Sequence, residues 1–135
     1  MAEYVFRDLI EKRGLSSRFE IASAATSDEE TGNPVYPPAR RKLQEHGIDC
    51  SGKRARRIIP EDYSSYDLLI GMDQQNLRNM QRVLGPDPEN KMRLLLSFSG
   101  SDRSIADPWY TDDYETAYRD ILKGCRGLLR FLGID

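Results

Sequence analysis

The sequence predicts an α/β domain, a three-layer sandwich around a mostly parallel sheet. Three observations predict it. Helix-type and strand-type segments alternate along the chain. Leu68 to Met72 and Leu94 to Leu96 are unbroken apolar runs, the mark of strands buried on both faces. Tyr114 to Leu132 carries the strongest helical period in the chain. The 135 residues fit one domain, 1–135, with no room for a second.

The elements follow in order. Val5, Phe6, Leu9 and Ile10 recur at helical spacing against Glu3, Arg7, Asp8, Glu11 and Lys12, so a helix is expected from Ala2 to Arg13, stopped at Gly14. Arg18 to Ala25 alternates through Phe19 and Ile21 and reads as a strand running into a loop. Ser27 to Pro38 is loop, rich in Asp, Glu, Gly, Asn and Pro. Proline suits a first helical turn, so Pro37 to His46 is expected to be a helix ending at Gly47, mostly exposed because only Ala39 and Leu43 are apolar. Pro60 to Tyr63 reads as one helical turn. Leu68 to Met72 is the next strand, and Asp73 caps a helix through Leu84 with Leu77, Met80 and Leu84 inward. Met92 to Phe98 repeats the buried-strand pattern. Ser99 to Asp112 is polar loop interrupted by Asp107-Pro108-Trp109-Tyr110, and the long helix closes the chain.

Composition excludes several functions. Apolar residues make 39% and charged residues 31% of the chain, too apolar for disorder and enough for one core. Twenty basic residues face twenty-two acidic ones; the net charge of −2 argues against a general nucleic-acid binder. No run approaches the ~18 apolar residues of a membrane span, and Met1 to Ile10 lacks the apolar core of a signal peptide. One histidine and two cysteines, Cys50 and Cys125, make neither a disulfide framework nor a structural zinc site. A soluble cytoplasmic protein without metal or cofactor is expected.

A set of collinear stretches resembles the low-molecular-weight protein tyrosine phosphatases. They are Met1-Ala2-Glu3, Ser23-Ala24-Ala25-Thr26-Ser27, Pro38-Ala39-Arg40, His46-Gly47-Ile48, Arg54-Ala55-Arg56, Asp67 to Asp73, Asn76-Leu77-Arg78 and Asp107-Pro108-Trp109-Tyr110. The resemblance implies a flavodoxin-like topology with strand order two-one-three-four. It also implies hydrolysis of phosphotyrosine-type monoesters through a cysteinyl-phosphate, with no metal; bacterial relatives include phosphoarginine hydrolases. Members open with a strand and a Cys-x5-Arg-Ser-Pro phosphate loop running into Met-Ala-Glu. This chain begins at that Met-Ala-Glu, so the expectation is a truncated domain lacking its first, central strand of about 5–6 residues and the loop, and inactive as given. That loop's backbone N–H groups and arginine would cradle the phosphoryl oxygens, and its cysteine would be the nucleophile.

Cys50 to Arg56 also satisfies Cys-x5-Arg, but Arg57 rather than Ser follows, no buried strand precedes it and no long helix follows. It reads as a surface cysteine in the basic loop Lys53 to Arg57, a solvated face. Cys125 lies on the apolar face of the last helix and reads as core packing. The resemblance assigns Asp107 as the general acid for the leaving phenolate, with Pro108 stiffening its loop. It assigns Trp109 and Tyr110 as the aromatic wall of the substrate cleft. Glu29 falls where many members carry an aromatic on the opposite wall, which implies a more open, more acidic cleft. Ser23 and Lys53 match positions that support the phosphate loop, where members often have His in place of Lys53.

Two further readings stand beside the phosphatase. One is a non-catalytic relative acting as a binding module. The other is arsenate reduction, discounted because Asp73 to Asn90 holds no redox cysteine. Loss of a central strand would leave unpaired backbone groups costing about 1–3 kcal/mol each. The expectation is therefore rearrangement, with the strands near Phe19 and Leu68 pairing directly or another molecule filling the gap, and self-association through exposed strands.

Overall fold

A computed structural model describes residues 1–26, 32, 35–53 and 55–134. Its helices are α1 (Ala2–Lys12), α2 (Pro37–Glu45), α3 (Asp62–Ser65), α4 (Gln74–Leu84), α5 (Pro108–Thr111) and α6 (Tyr114–Phe131). Its strands are β1 (Leu69–Gly71) and β2 (Met92–Leu94), paired in parallel with Leu69 opposite Met92. The connection between them passes through α4, the crossover a parallel pair requires.

The helices form where the periodicity places them. α1 buries Val5, Phe6, Leu9 and Ile10, each contributing roughly 1.5–3 kcal/mol when fully withdrawn from water. It stops where Gly14 takes φ +67°, a conformation that costs glycine little. Leu43 anchors α2 and is fully buried, so this sparsely apolar helix still reaches the core. Asp73 caps α4 by accepting the Asn76 N–H at 2.7 Å. α6 buries Ile121, Cys125, Leu128 and Leu129 against α1 and against the turn of 3₁₀ helix at Leu95–Ser99.

Three strand expectations are corrected. Among the described residues Phe19 to Ala24 joins no sheet; the strand character here is one parallel bridge, between Ala25 and Arg57. The Met92–Phe98 run is strand only as far as Leu94. Leu95 and Leu96 are buried as expected, but in a 3₁₀ turn, because helix α6 approaches through Gly124 and Gly127 and leaves no room for an extended chain. The expected direct pairing of the Phe19 and Leu68 segments is absent among the described residues. The reason is that the 19–25 segment is held to α1: Ser23 and the Ile21 carbonyl are bound by Glu3 and Arg7. Moving it onto β1 would break those bonds.

Candidate functional site

Glu3, in the first turn of α1, is the hub of one half of the site. Its Oε1 accepts the Ser23 hydroxyl at 2.7 Å and pairs with the Lys53 ammonium at 2.7 Å, and its Oε2 accepts Arg7 Nε at 2.9 Å. Lys53 also donates to the Ser23 carbonyl at 3.2 Å. The Glu3 side chain is only 4% exposed. Burial works to raise its carboxyl, but the hydrogen bonds from Lys53 and Ser23 and the charges of Lys53 and Arg7 outweigh burial and hold it below the ordinary value. Helix α1 gains as well, because a carboxylate in its first turn faces the positive end of the helix dipole.

The network borders a cavity of about 310 Å³, edged also by Tyr4, Ala24, Ala25, Val35, Tyr36, Ala55 and Arg56. Arg56 is committed to buried Asp62, Nη1 to Oδ2 at 3.1 Å. Sequence reasoning named Ser23 and Lys53, and the structure brings them together on Glu3, a partner it did not name. The sole local signal for Glu3 was an acidic residue in a helix's first turn.

The other half is the segment around α5. Asp107 is exposed and caps this four-residue helix, its Oδ1 accepting the Trp109 N–H at 2.9 Å. Pro108 occupies the first helical position, where no N–H is needed. The segment is tied to the body by the Ile105 N–H on the Met72 carbonyl at 2.9 Å, just past β1. After Asp112, which takes the left-handed φ of 58°, Asp113 caps α6 through the Thr116 N–H and hydroxyl at 3.0 and 2.7 Å. Trp109 and Tyr110 project outward, 57% and 84% exposed. Thus Asp107, Trp109 and Tyr110 stand together on one short element. Tyr36, which sequence reasoning passed over, joins the two halves: it lines the cavity and meets Trp109 edge-on, ring centroids 4.6 Å apart. Glu29 and Arg54 lie outside the described residues.

Neither cysteine is presented to this site as a nucleophile. Cys50, expected on the surface, is instead buried in the main core beside Ile48, because Ile48 turns inward after α2 and carries the chain with it. Burial pushes its thiol up. Cys125 is buried as expected, and burial pushes its thiol up to about 12. Both are thiols, not thiolates, at neutral pH. Elsewhere, Glu45, His46 and Glu115 bring donor atoms within 4.8 Å of one another, but the Lys42 ammonium already binds both carboxylates at 2.8 and 2.9 Å. That cluster clasps α2 to α6. Among the described residues no helix is long and apolar enough to cross a membrane.

Comparison with known proteins gives one answer. The family described as low molecular weight phosphotyrosine protein phosphatase matches residues 1–135. The low molecular weight protein-tyrosine-phosphatase YfkJ of Bacillus subtilis is 32% identical over 131 residues, 96% of this chain and 84% of that protein. The human low molecular weight phosphotyrosine protein phosphatase is 35% identical over 134 residues, again 96% of this chain and 84% of that protein. The crystal structure of YfkJ matches with a TM-score of 0.92 at 30% identity, covering 98% of this chain and 84% of that one. The crystal structure of DARP, a Drosophila arginine phosphatase, matches at 0.85 with 28% identity, covering 99% and 89%. The fold expected from the sequence is thus matched over nearly the whole chain, with a smaller parallel sheet than the strand-like runs implied.

Proposed function

The chain belongs to the low molecular weight phosphotyrosine protein phosphatase family, and from that premise we propose that residues 1–135 supply the acid segment and substrate wall for hydrolysis of phosphotyrosine-type protein monoesters. One observation carries the reading: Asp107, Trp109 and Tyr110 stand exposed on one short helix, and Tyr36 links that helix to the cavity. In the reaction a cysteine thiolate attacks phosphorus and the bond to the leaving oxygen breaks. Asp107 gives that oxygen its proton. Water then attacks the cysteinyl-phosphate, Asp107 takes the water's proton, and phosphate leaves.

The attacking cysteine in this proposal is neither Cys50 nor Cys125, since both are buried thiols. It lies with its phosphate-binding arginine on a strand and Cys-x5-Arg-Ser-Pro loop joined directly to Met1. Support comes from two lines of backbone. Among the described residues, Glu20 to Ala24 donate no backbone hydrogen bond, and β1 pairs only with β2. One further strand would satisfy both. On this reading residues 1–135 need that strand and loop for turnover. Two buried free thiols suit a reducing, cytoplasmic setting. A phosphoarginine substrate is the alternative within the same chemistry, favoured by the likeness to an arginine phosphatase. A binding module is the competing reading, favoured by the same amides, which donate to no backbone carbonyl among the described residues.

The test is an assay of two proteins against p-nitrophenyl phosphate, phosphotyrosine and phosphoarginine. Residues 1–135 alone should show no turnover, and the chain extended by the strand and loop should hydrolyse at least one substrate. Asp107→Asn in the extended chain should lower kcat on an aryl ester by ~10²–10⁴. Turnover by residues 1–135, or an unchanged kcat in Asp107→Asn, would overturn the reading.

A further inference from the structure

We infer that Tyr36 is a positioning residue for the acid segment: its ring holds Trp109, and Trp109 holds Asp107. The inference rests on the reading of Asp107 just given. It starts from the size of α5. Four residues make a helix too short to persist by its own hydrogen bonds. Its place must be imposed from outside. The backbone supplies one tether before it, from Ile105 to Met72, and the Asp113 cap after it. Neither fixes the rotation of the helix between them.

Tyr36 supplies that third contact. Its ring meets Trp109 at 4.6 Å between centroids with the planes inclined by 61°, the edge-to-face arrangement that aromatic quadrupoles favour. The Trp109 N–H is in turn the donor to Asp107 Oδ1. A shift of Trp109 therefore changes where the Asp107 carboxyl points. Burial pushes the nearby Tyr114 phenol up, helped by Tyr36 and then by Asp112 and Asp107, so these groups share one electrostatic neighbourhood.

The mounting of Tyr36 is stiff. It precedes Pro37 and Pro38, and a residue before proline is confined to the extended region; Tyr36 takes φ −56° and ψ 134° there. The helix behind it is fastened to α6 at its far end. Lys42 reaches Glu115 at 2.9 Å, and the His46 ring stacks on Tyr118 at 3.8 Å with the planes 9° apart. α2 is thus a strut, clasped to α6 at one end and touching the acid segment at the other. The wall offered to a planar substrate group then includes Tyr36 beside Trp109 and Tyr110.

Trp109 is the only tryptophan in the chain, so its emission reports this contact without interference and without turnover. Tyr36→Ala should shift the emission to the red and increase quenching by acrylamide. The ratio of docked to undocked segment should fall by roughly two- to tenfold, the range of one aromatic pair. Tyr36→Phe should restore the parent emission, since the ring and not the hydroxyl makes the contact. The melting temperature of Tyr36→Ala should match the parent, because Tyr36 is half exposed. Unchanged emission and quenching in Tyr36→Ala would overturn the inference, as would a Tyr36→Phe variant that behaves like Tyr36→Ala. Failure of the acid reading would show separately, as an unchanged kcat in Asp107→Asn with the emission result intact.

Discussion

Glu3 binds three donors where the sequence displays only an acidic residue among others on a polar helix face. Its carboxyl is held below the ordinary value, so the sign of its pH dependence follows. Its stabilising contribution is fully present above the ordinary carboxylate value and is lost as pH falls through the lower, folded value. Glu3→Gln should cost about 1–3 kcal/mol at neutral pH, since Lys53 and Arg7 lose their anion and Ser23 is left with a neutral amide oxygen as its acceptor. Urea melts of parent and variant should differ by that amount at pH 7 and converge only as pH falls below the lowered folded value of Glu3. A difference independent of pH would mean that the charge is not what matters. Legibility at this scale follows distance along the chain. Asp107, Trp109 and Tyr110 form one contiguous motif with Pro108, so the family resemblance marks them out as candidates, which Asp-Pro alone does not. Glu3 and Tyr36 are not, because what gives each its role, Ser23 and Lys53 for one and Trp109 for the other, lies far away in sequence.

Among the elements, the long helices are legible throughout and the strands only in part: Leu68 to Met72 holds β1, whereas Met92 to Phe98 is strand only to Leu94, and the four-residue α5 lies in what reads as loop. α1, α4 and α6 bury one face, so their period survives in the sequence wherever they pack. A run such as Leu94-Leu95-Leu96 says only that it is buried, and a 3₁₀ turn buries it as well as a strand does. The deciding residues are Gly124 and Gly127 on α6. A Cβ at Gly127 would lie 2.5 Å from the Phe98 carbonyl oxygen, and one at Gly124 would lie 2.5 Å from Leu95 Cγ. In an open helix Gly→Ala would gain up to about 1 kcal/mol. Here the clash must win, because the packed neighbours have nowhere to go, and overpacking costs typically about 1–3 kcal/mol. Gly127→Ala should therefore lower stability in urea, and by more than Gly124→Ala, where a side chain rather than backbone must yield. A stabilised Gly127→Ala would show that the helix and the 3₁₀ turn can part without cost.

Over the whole molecule, most of the core lies between helices, and the sheet of two short strands adds to its edge. The main cluster joins α1 and α6 through Val5, Phe6, Ile10, Ile121, Cys125 and Leu129, with Ile70 of β1 packed against it, while Leu69 belongs to a smaller cluster with Ile58 and Met80. Apolar burial between helices thus sets most of the core, and among the described residues the amides of Glu20 to Ala24 donate to no backbone carbonyl, although the Ile21 and Ser23 carbonyls accept from Arg7 and Lys53. Such groups are a template for another strand. Two consequences are measurable in residues 1–135. The Glu20–Ala24 amides should exchange with deuterated water as fast as those of an open loop, while α6 amides stay protected. The chain should also self-associate with rising concentration, seen as growth of a heavier species in sedimentation velocity. Extension by a strand ahead of Met1 should reverse both effects together, slowing exchange at Glu20–Ala24 and returning the protein to a monomer. If residues 1–135 remain monomeric at high concentration, water alone satisfies those amides, and the segment is no interaction surface. The binding-module reading would then lose the observation that favours it.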